Sequence, residues 1–352
     1  MTRFAIVGAG WRTEFFLRIA KALPDRFEVT KVLVRSDEKA RAMEGWGART
    51  GRTLDDLLAD RPQFVVTSVP WGPNPGLLRE LAERGMPALS ETPPAPDLPG
   101  LVALTDLVKS GAPIQVAEQY AFQPEHAARL GVIAKGWLGE VFQTQVSAAH
   151  GYHGVSLIRR FLGVGFEDAT IRASEFKGRV VRSPDRNGPP KVDGIEEEGQ
   201  TIATLDFDGR FGVFDFVGTQ YFSWIRSQRV MLRGTHGELN GVDLSFLKDF
   251  QTPAYGRLER VDWGHGGNLE GYAHRGIQAV GEWVYQNPFP GARLADDEIA
   301  IATALKGMGE FTQGGPPPYP LADACQDHYL AMTIERATRT GESIRTERQP
   351  WS

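Results

Sequence analysis

The sequence predicts an α/β unit followed by an α+β unit. Three observations predict it. Short apolar runs alternate with amphipathic helical stretches through the first third of the chain, strands dominate later, and helical periodicity returns near the C-terminus. Strand, helix, strand repeated in this way makes a parallel sheet with helices on both faces. The 352 residues match two domains of roughly 150 residues each, expected over 1–120 and 121–352.

Phe4-Ala5-Ile6-Val7 is too short for a helix and fits a buried strand, and Phe15, Phe16, Ile19 and Leu23 then recur at helical spacing. Phe27 to Val34 is the second strand. Leu54 to Leu58 is a short helix capped by Thr53. Phe64 to Val69 is β-branched and again a strand, and Leu77 to Arg84 is a helix ended by Gly85. Ala88-Leu89-Ser90 and Ile114 to Ala117 are further strands, with a helix from Leu101 to Lys109 between them. Beyond Gln119, Glu125 to Lys135 is helical, with His126 on the surface. Glu140 to Ser147 is a strand, and Val155 to Leu162 is a helix stopped by Gly163. Thr201 to Phe207, the turn pair Asp208-Gly209 and Phe211 to Val217 form a hairpin. Arg229 to Arg233 and Gly237 to Val242 form another. Helices are expected over Ile277 to Tyr285, Ile299 to Lys306 and Ala322 to Thr338, the last after the break at Gly314-Gly315-Pro316-Pro317-Pro318.

Composition narrows the function classes. With 41% hydrophobic and 24% charged residues, the chain is too apolar to be disordered. The net charge is -5, from 39 basic and 44 acidic residues, and no Lys/Arg block appears, which argues against a nucleic-acid partner. No apolar run reaches the roughly 18 residues that span a bilayer. Met1-Thr2-Arg3-Phe4 leads straight into a strand-like run, so no signal peptide is expected and a cytoplasmic location is. Cys325 is the only cysteine, which excludes an internal disulfide and any zinc site built on several cysteines. It is expected to be a small buried hydrophobe.

The first strand ends in Gly8-Ala9-Gly10-Trp11-Arg12-Thr13, and a helix follows. This is the context of a dinucleotide fingerprint. Gly8 allows the tight turn, and Gly10 lets pyrophosphate approach the backbone. The helix N-terminus supplies free N–H groups and a positive dipole end. Thr13 occupies the third glycine position. At the end of the second strand an acidic residue would accept from the ribose 2′-OH of NAD. The sequence has Val34-Arg35-Ser36 instead. A guanidinium and a hydroxyl suit the 2′-phosphate of NADP, with Arg12 adding to that charge, while Asp37 keeps NAD open.

These motifs resemble the Gfo/Idh/MocA oxidoreductases, the family of glucose–fructose oxidoreductase and inositol dehydrogenase. The resemblance rests on the Gly8 to Arg12 turn, on Val69-Pro70, and on Gly85-Met86-Pro87-Ala88-Leu89-Ser90-Glu91-Thr92-Pro93. It continues through Gly136-Trp137-Leu138-Gly139-Glu140-Val141, His153 to Gly163, and Arg233-Gly234-Thr235-His236-Gly237. It implies an N-terminal Rossmann domain and a C-terminal α+β domain with a large, mostly antiparallel open sheet. It also implies homodimers or homotetramers packed through that sheet, nicotinamide chemistry, and a sugar or cyclitol substrate. Cofactor contacts then fall at Gly8, Gly10, Trp11, Arg12, Arg35, Ser36, Ser68, Pro70, Trp71, Asn74, Glu91, Thr92 and Gln119.

The departures from the family bear on mechanism. Members with the standard site read Glu-Lys-Pro where this chain has Glu91-Thr92-Pro93, and Thr92 can only hydrogen-bond. The family's Asp-x-x-x-His aligns with Ala149 and His153, and a following aspartate becomes Ser156. His153 alone of the usual polar groups remains. His150-Gly151-Tyr152-His153 puts two imidazoles and a phenol in four residues. Oxidation of a carbinol needs a base for the hydroxyl proton, and histidine titrates near neutral pH. His153 is therefore the expected acid/base, with His150 or Tyr152 orienting it. Glu91 and Glu118 lie near carboxyl ends of strands, where such sheets bind ligands and either could take over a proton role, and for Glu118 a structural hydrogen bond is the preferred reading. His150 and His153 lack a third ligand, so no metal is expected. The leading function is an NADP-linked oxidoreductase, with NAD possible. The alternatives are a redox-type glycosidase that returns its cofactor unchanged, and a catalytically inactive binding or regulatory protein on the same fold.

Overall fold

The structure, a computed structural model, describes residues 1–352. The N-terminal part of the chain builds β1 (Thr2–Val7), α1 (Trp11–Ala22), β2 (Phe27–Leu33), α2 (Asp37–Gly45), β3 (Thr50–Gly51) and α3 (Leu54–Leu58). It continues with β4 (Phe64–Thr67), α4 (Asn74–Glu83), β5 (Ala88–Ser90), α5 (Leu98–Val102), α6 (Thr105–Lys109) and β6 (Ile114–Val116). The strands form one parallel sheet in the order β3-β2-β1-β4-β5-β6. The order reverses between β1 and β4, and ligands of such sheets bind outside the carboxyl ends of the strands at that point. All four residues of β4 are buried, as are the last four of β1, which is why these runs are continuously apolar rather than alternating.

The second part adds α7 (Pro124–Ala134), β7 (Val141–Ser147), α8 (Gly151–Leu162), β8 (Thr170–Val181), β9 (Ile195–Asp206) and β10 (Phe211–Val217). Then come β11 (Arg229–Gly234), β12 (Gly237–Asn240), β13 (Asp243–Asp249), β14 (Thr252–Arg257), β15 (Glu259–Trp263), β16 (Ala273–Ala279) and β17 (Glu282–Gln286). The chain closes with α9 (Asp296–Phe311), α10 (Leu321–Thr340) and β18 (Ile344–Arg345). Nine strands make a mixed sheet in the order β14-β13-β12-β11-β7-β10-β9-β8-β18. All its pairs are antiparallel except β7 with β10. Helices α8 and α10 pack on one face of it, burying Val155, Ile158 and Phe161 from α8 and Leu330 and Ile334 from α10. Helix α9 packs back on the first domain, where Ile299, Leu305 and Met308 join the core around Phe4, Phe16 and Phe64.

Three expectations need correction. Ile277 to Tyr285 is a β-hairpin, β16 with β17, not a helix. Ala279 faces Glu282 across a two-residue turn whose Val280 and Gly281 both have positive φ, 52° and 79°. Gly281 makes that turn possible, and the tertiary sheet overrides the helical spacing of the flanking apolar residues. His126 is not on the surface: it is 1% exposed, inside α7, with Nδ1 3.0 Å from an Arg129 guanidinium nitrogen. Helix α8 begins at Gly151 rather than Val155, so His150 is its N-cap residue and Tyr152 and His153 lie in its first turn.

Candidate active site

The turn after β1 is shaped around close backbone approach. Gly8 has φ +113°, and a Cβ there would stand 1.9 Å from the Ser68 carbonyl oxygen. Gly10 caps α1 and faces open space, where a Cβ would meet no atom within 4 Å. Thr13, at the third fingerprint position, is fully buried. Its hydroxyl donates to the Gly8 carbonyl at 3.1 Å and meets Ser68 Oγ at 3.2 Å. The close helix-to-strand packing that a glycine gives elsewhere is here secured by hydrogen bonds. The free N–H groups at the start of α1 face the carboxyl ends of the sheet, so the turn fits a pyrophosphate.

Beside it, a cavity of about 370 Å³ is lined by Val7, Leu33, Arg35, Leu54, Val69, Pro73 and Leu77, among others. This largely apolar slot, with one guanidinium and the Glu80 carboxylate at its edge, lies between the ends of β1, β2 and β4 and fits an adenosine half. Arg35 is exposed at its mouth. Ser36 Oγ caps α2 by accepting from the Lys39 N–H, which leaves its own hydrogen free to donate. The Asp37 carboxylate is held by Arg52, whose guanidinium also donates to the Val34 carbonyl at 3.3 Å. Arg52 is a second cation at this edge, one that no motif in the sequence marks.

Arg12 does not join that group. Its Nε donates to both oxygens of Glu91, at 3.0 and 3.1 Å, with both side chains largely buried. Asn74 is also withdrawn from any ligand. It is 2% exposed, accepts from Thr67 Oγ1 at 2.7 Å, and donates to Ser90 Oγ and the Pro94 carbonyl. It ties β4, β5 and the following loop together. Gln119 is 6% exposed, and its Oε1 is enclosed without a partner. Pro70 is exposed after β4, and Trp71 and Trp11 are each about half exposed at the cleft edge.

The catalytic candidates meet where the first turn of α8 reaches the carboxyl end of β6. His153 Nδ1 lies 2.6 Å from Glu118 Oε2, and Glu118 Oε1 accepts from the Tyr120 N–H at 3.1 Å. Glu118 is 2% and His153 6% exposed. A carboxylate accepts, so Nδ1 carries the hydrogen and Nε2 the lone pair. Nε2 has no hydrogen bond within the protein and is not among the enclosed unpartnered atoms, so it opens onto the cleft. The His153 ring is flanked by Tyr120 at 4.5 Å, Tyr152 at 4.4 Å and His150 at 5.0 Å between centroids. The orienting partner of His153 is therefore Glu118, and the expectation that His150 or Tyr152 would hold it is corrected: both touch it only ring to ring.

His150 stands at the open mouth of this cluster. Tyr221 Oη accepts from the His150 N–H at 3.0 Å and lies 2.6 Å from His150 Nδ1, and Tyr120 Oη donates to it at 3.2 Å. Loss of hydration, with His153 and Arg186 nearby, lowers the His150 pKa to about 4. Burial raises the phenols of Tyr120, Tyr152 and Tyr221, so all three keep their hydrogens. Tyr152 Oη points at the Thr92 carbonyl, 3.5 Å away. Thr92 thus sits against a phenol where the related sites carry lysine. Glu118 was legible as a residue at the carboxyl end of a strand. Tyr221 lies 101 residues from Tyr120 and carries no local signal. No cluster of three or more His, Cys, Asp or Glu is placed to hold a metal ion, and no helix is long and apolar enough to cross a membrane.

Known proteins share part of this sequence and its fold. Residues 2–117 match the Gfo/Idh/MocA family model, described as an oxidoreductase family with an NAD-binding Rossmann fold. No curated protein sequence matches the chain. Among solved structures, levoglucosan dehydrogenase in complex with NADH and levoglucosan is similar with a TM-score of 0.69 at 16% identity, over 98% of this chain and 99% of that one. An oxidoreductase from Agrobacterium radiobacter, in complex with NAD+, L-tartaric acid and magnesium, has a TM-score of 0.66 at 17% identity, over 97% and 98%. The WlbA dehydrogenase from Bordetella pertussis, in complex with NADH and UDP-GlcNAcA, has 0.63 at 17%, over 98% of each chain. At these identities the likeness is one of fold. The family match thus covers the N-terminal 2–117, and the likeness of the rest of the chain to these oxidoreductases is one of fold.

Proposed function

We propose that the protein transfers a hydride between a nicotinamide dinucleotide, NADP in preference to NAD, and a carbinol carbon of a sugar, sugar derivative or cyclitol, with His153 as acid/base. The observation that carries this reading is the 2.6 Å contact between His153 Nδ1 and Glu118, which leaves Nε2 free at the cleft. When bound, the nicotinamide supplies the hydride acceptor or donor. The first domain, 1–120, holds the dinucleotide, and 121–352 shapes the substrate side and self-association. Gly8, Gly10 and the start of α1 receive the pyrophosphate. Arg35, the Ser36 hydroxyl and Arg52 favour a 2′-phosphate, because the nearby carboxylates are already paired, Asp37 with Arg52 and Glu80 with Arg84. In oxidation, His153 Nε2 takes the hydroxyl proton, and Glu118 stabilises the imidazolium that forms.

His150 takes the opposite part. With Tyr221 Oη accepting from two donors, its own hydrogen goes to His150 Nδ1. That leaves Nε2–H on His150 as a neutral donor toward the substrate oxygen, the place where related sites use an ammonium. Sugar-type substrates of the dehydrogenases that share the fold support the substrate class. Exposed Phe176, Ile195 and Ile202 on the nine-stranded sheet support homodimers or homotetramers formed through it. A cytoplasmic location belongs to the same reading.

The test is a fluorescence titration of nucleotide-stripped protein with NADPH and, separately, NADH, followed by a sugar and cyclitol screen with His153→Ala as control. NADPH is expected to bind more tightly, and Arg35→Asp is expected to remove that preference by about tenfold, the weight of a charge-assisted phosphate contact. Absence of binding by either nucleotide overturns the proposal.

A further inference from the structure

The connection between β8 and β9 carries a feature that the hydride chemistry does not use. Two strands of 12 residues each run side by side and end in a segment that closes on itself: Asp185 and Gly188 exchange backbone hydrogen bonds at 3.1 and 3.0 Å. Arg186 and Asn187 form the apex of that turn. The Asp185 carboxylate accepts from the Asn187 N–H at 2.7 Å, so it is turned inward and does not neutralise Arg186. From this apex the Arg186 guanidinium crosses to the other domain and lies over the Trp11 ring, 4.2 Å from its centroid. Trp11 is the first residue of α1.

On the other side, the charge of Arg186 reaches His150 and helps to keep that ring neutral. Arg186 therefore stands between the phosphate turn and the histidine cluster, at the roof of the cleft. The ionised groups nearest the histidine cluster have partners. Arg12 is paired with Glu91, Glu118 with His153, and Asp297 accepts from Gln123 at 2.6 Å. Arg186 has no ion-pair or hydrogen-bond partner, only the face of an indole. A guanidinium offers five donors in a fork that fits planar or tetrahedral oxyanions. An unpaired one, delivered by a long hairpin to the substrate side of the cleft, has one evident use.

We infer that Arg186 is the anchor for an anionic group on the substrate, a carboxylate or a phosphate, so that the preferred substrates are acidic sugars rather than neutral ones. This deepens the hydride-transfer reading and rests on it for the position of the substrate. An anion there also faces His150, whose neutral Nε2–H is a second donor.

The experiment compares neutral and charged members of the same sugars in the full-length protein with NADH bound. Calorimetric titration uses glucose against glucuronate and glucose 6-phosphate, and galactose against galacturonate. At least one charged member is expected to bind about tenfold or more tightly than its neutral parent, and Arg186→Gln to abolish that difference while leaving the neutral sugar unchanged. Glucuronate binding without glucose 6-phosphate binding identifies a carboxylate, and the reverse a phosphate; either supports the inference. Equal or better binding of the neutral members overturns it. So does a charge preference that survives in Arg186→Gln, or an Arg186→Gln protein whose only defect is weaker NADH binding, which would assign the guanidinium to the dinucleotide. Absence of binding by every charged member overturns it too. The NADH titration separates the two readings. A protein that binds NADH without preferring acidic sugars loses only this inference, whereas one that binds acidic sugars through Arg186 but no nucleotide loses the oxidoreductase function.

Discussion

Glu118→Gln is the sharpest perturbation of the proposed mechanism, because it changes one atom and leaves the shape. Two donors face the Glu118 carboxylate: the His153 Nδ1–H at 2.6 Å and the Tyr120 N–H at 3.1 Å. A carboxylate satisfies both. A carboxamide has a single oxygen. If that oxygen serves Tyr120, its NH₂ faces Nδ1, the imidazole adopts the other tautomer, and Nε2 carries a hydrogen where the base should be. If it serves His153, the buried Tyr120 N–H loses its acceptor, at about 1–3 kcal/mol of stability. The first arrangement keeps all hydrogen bonds and is the expected one. Loss of a positioned general base slows turnover by about 10²–10⁴-fold, or about 3–5 kcal/mol of barrier. The assay is steady-state oxidation of the substrate found in the screen, with the carbinol C–H and its deuterated form, beside a thermal melt and an NADPH titration. The expected result is a kcat loss of that size with Tm and nucleotide affinity little changed. His153→Ala should be no worse alone than in combination with Glu118→Gln, since the two act as one unit. A Glu118→Gln enzyme within about threefold of the parent in kcat would refute the pairing argument, as would strictly additive losses in the double variant.

Three further outcomes follow from the same geometry. Tyr221→Phe removes the hydrogen that His150 Nδ1 accepts, so the His150 tautomer is no longer fixed; kcat should fall by about tenfold with a change in the ¹⁵N shifts of His150, and unchanged shifts would remove that phenol from the mechanism. Gly8→Ala forces a Cβ to 1.9 Å from the Ser68 carbonyl at a φ of +113° and should cost about 2 kcal/mol or more in urea denaturation; a neutral effect would mean that the turn yields more readily than its close packing implies. Burial and Arg129 hold the His126 pKa well below its ordinary value, whereas in the unfolded chain it lies near 6.5. Between the two the unfolded state binds the proton and the folded state does not, so stability is full above about pH 6.5 and falls as pH drops below it. The drop in Tm from pH 7 to pH 5 should shrink in His126→Gln, and an unchanged drop would show that the ring is not protected.

The first domain was legible because its signals are local. Apolar strand runs, helix caps at Thr53 and stops at Gly85 lie within a few residues of the elements they define, and Gly8 and Gly10 sit at the one junction where their spacing has a meaning. The second domain was harder for identifiable reasons. β8 carries no clear strand pattern because Arg172, Glu175, Lys177 and Arg179 interrupt it, and only Ile171 and Val180 are buried. The β16–β17 hairpin resembles a helix because its turn needs positive φ at Val280, which no residue type there announces. At the site, His153 stood out as a candidate from its residue type and the family resemblance. Its pairing did not, because Glu118 lies 35 residues away on another element. Tyr221 and Arg186 come from connections whose destinations depend on the whole nine-stranded sheet, so no window of sequence contains the information.

The departures from the related sites therefore read as relocation rather than loss. Ala149 is fully buried with nothing to offer a proton, and the Ser156 hydroxyl donates to the His153 carbonyl at 2.8 Å. Neither can orient the imidazole of His153. Glu118 does so from the opposite side, at the end of β6, and its second oxygen is fixed by the Tyr120 N–H. The missing ammonium has no charged substitute: Thr92 faces the Tyr152 phenol, and His150 stays neutral well below pH 7. A neutral donor stabilises a developing alkoxide less than a cation does, so the proposed mechanism leans more heavily on His153 to hold the proton than one with a lysine would. The two imidazoles, 5.0 Å apart, then carry opposite tautomers because one faces a carboxylate and the other a phenol. The polarity of the site is set by those two partners, Glu118 and Tyr221, and not by the histidines themselves.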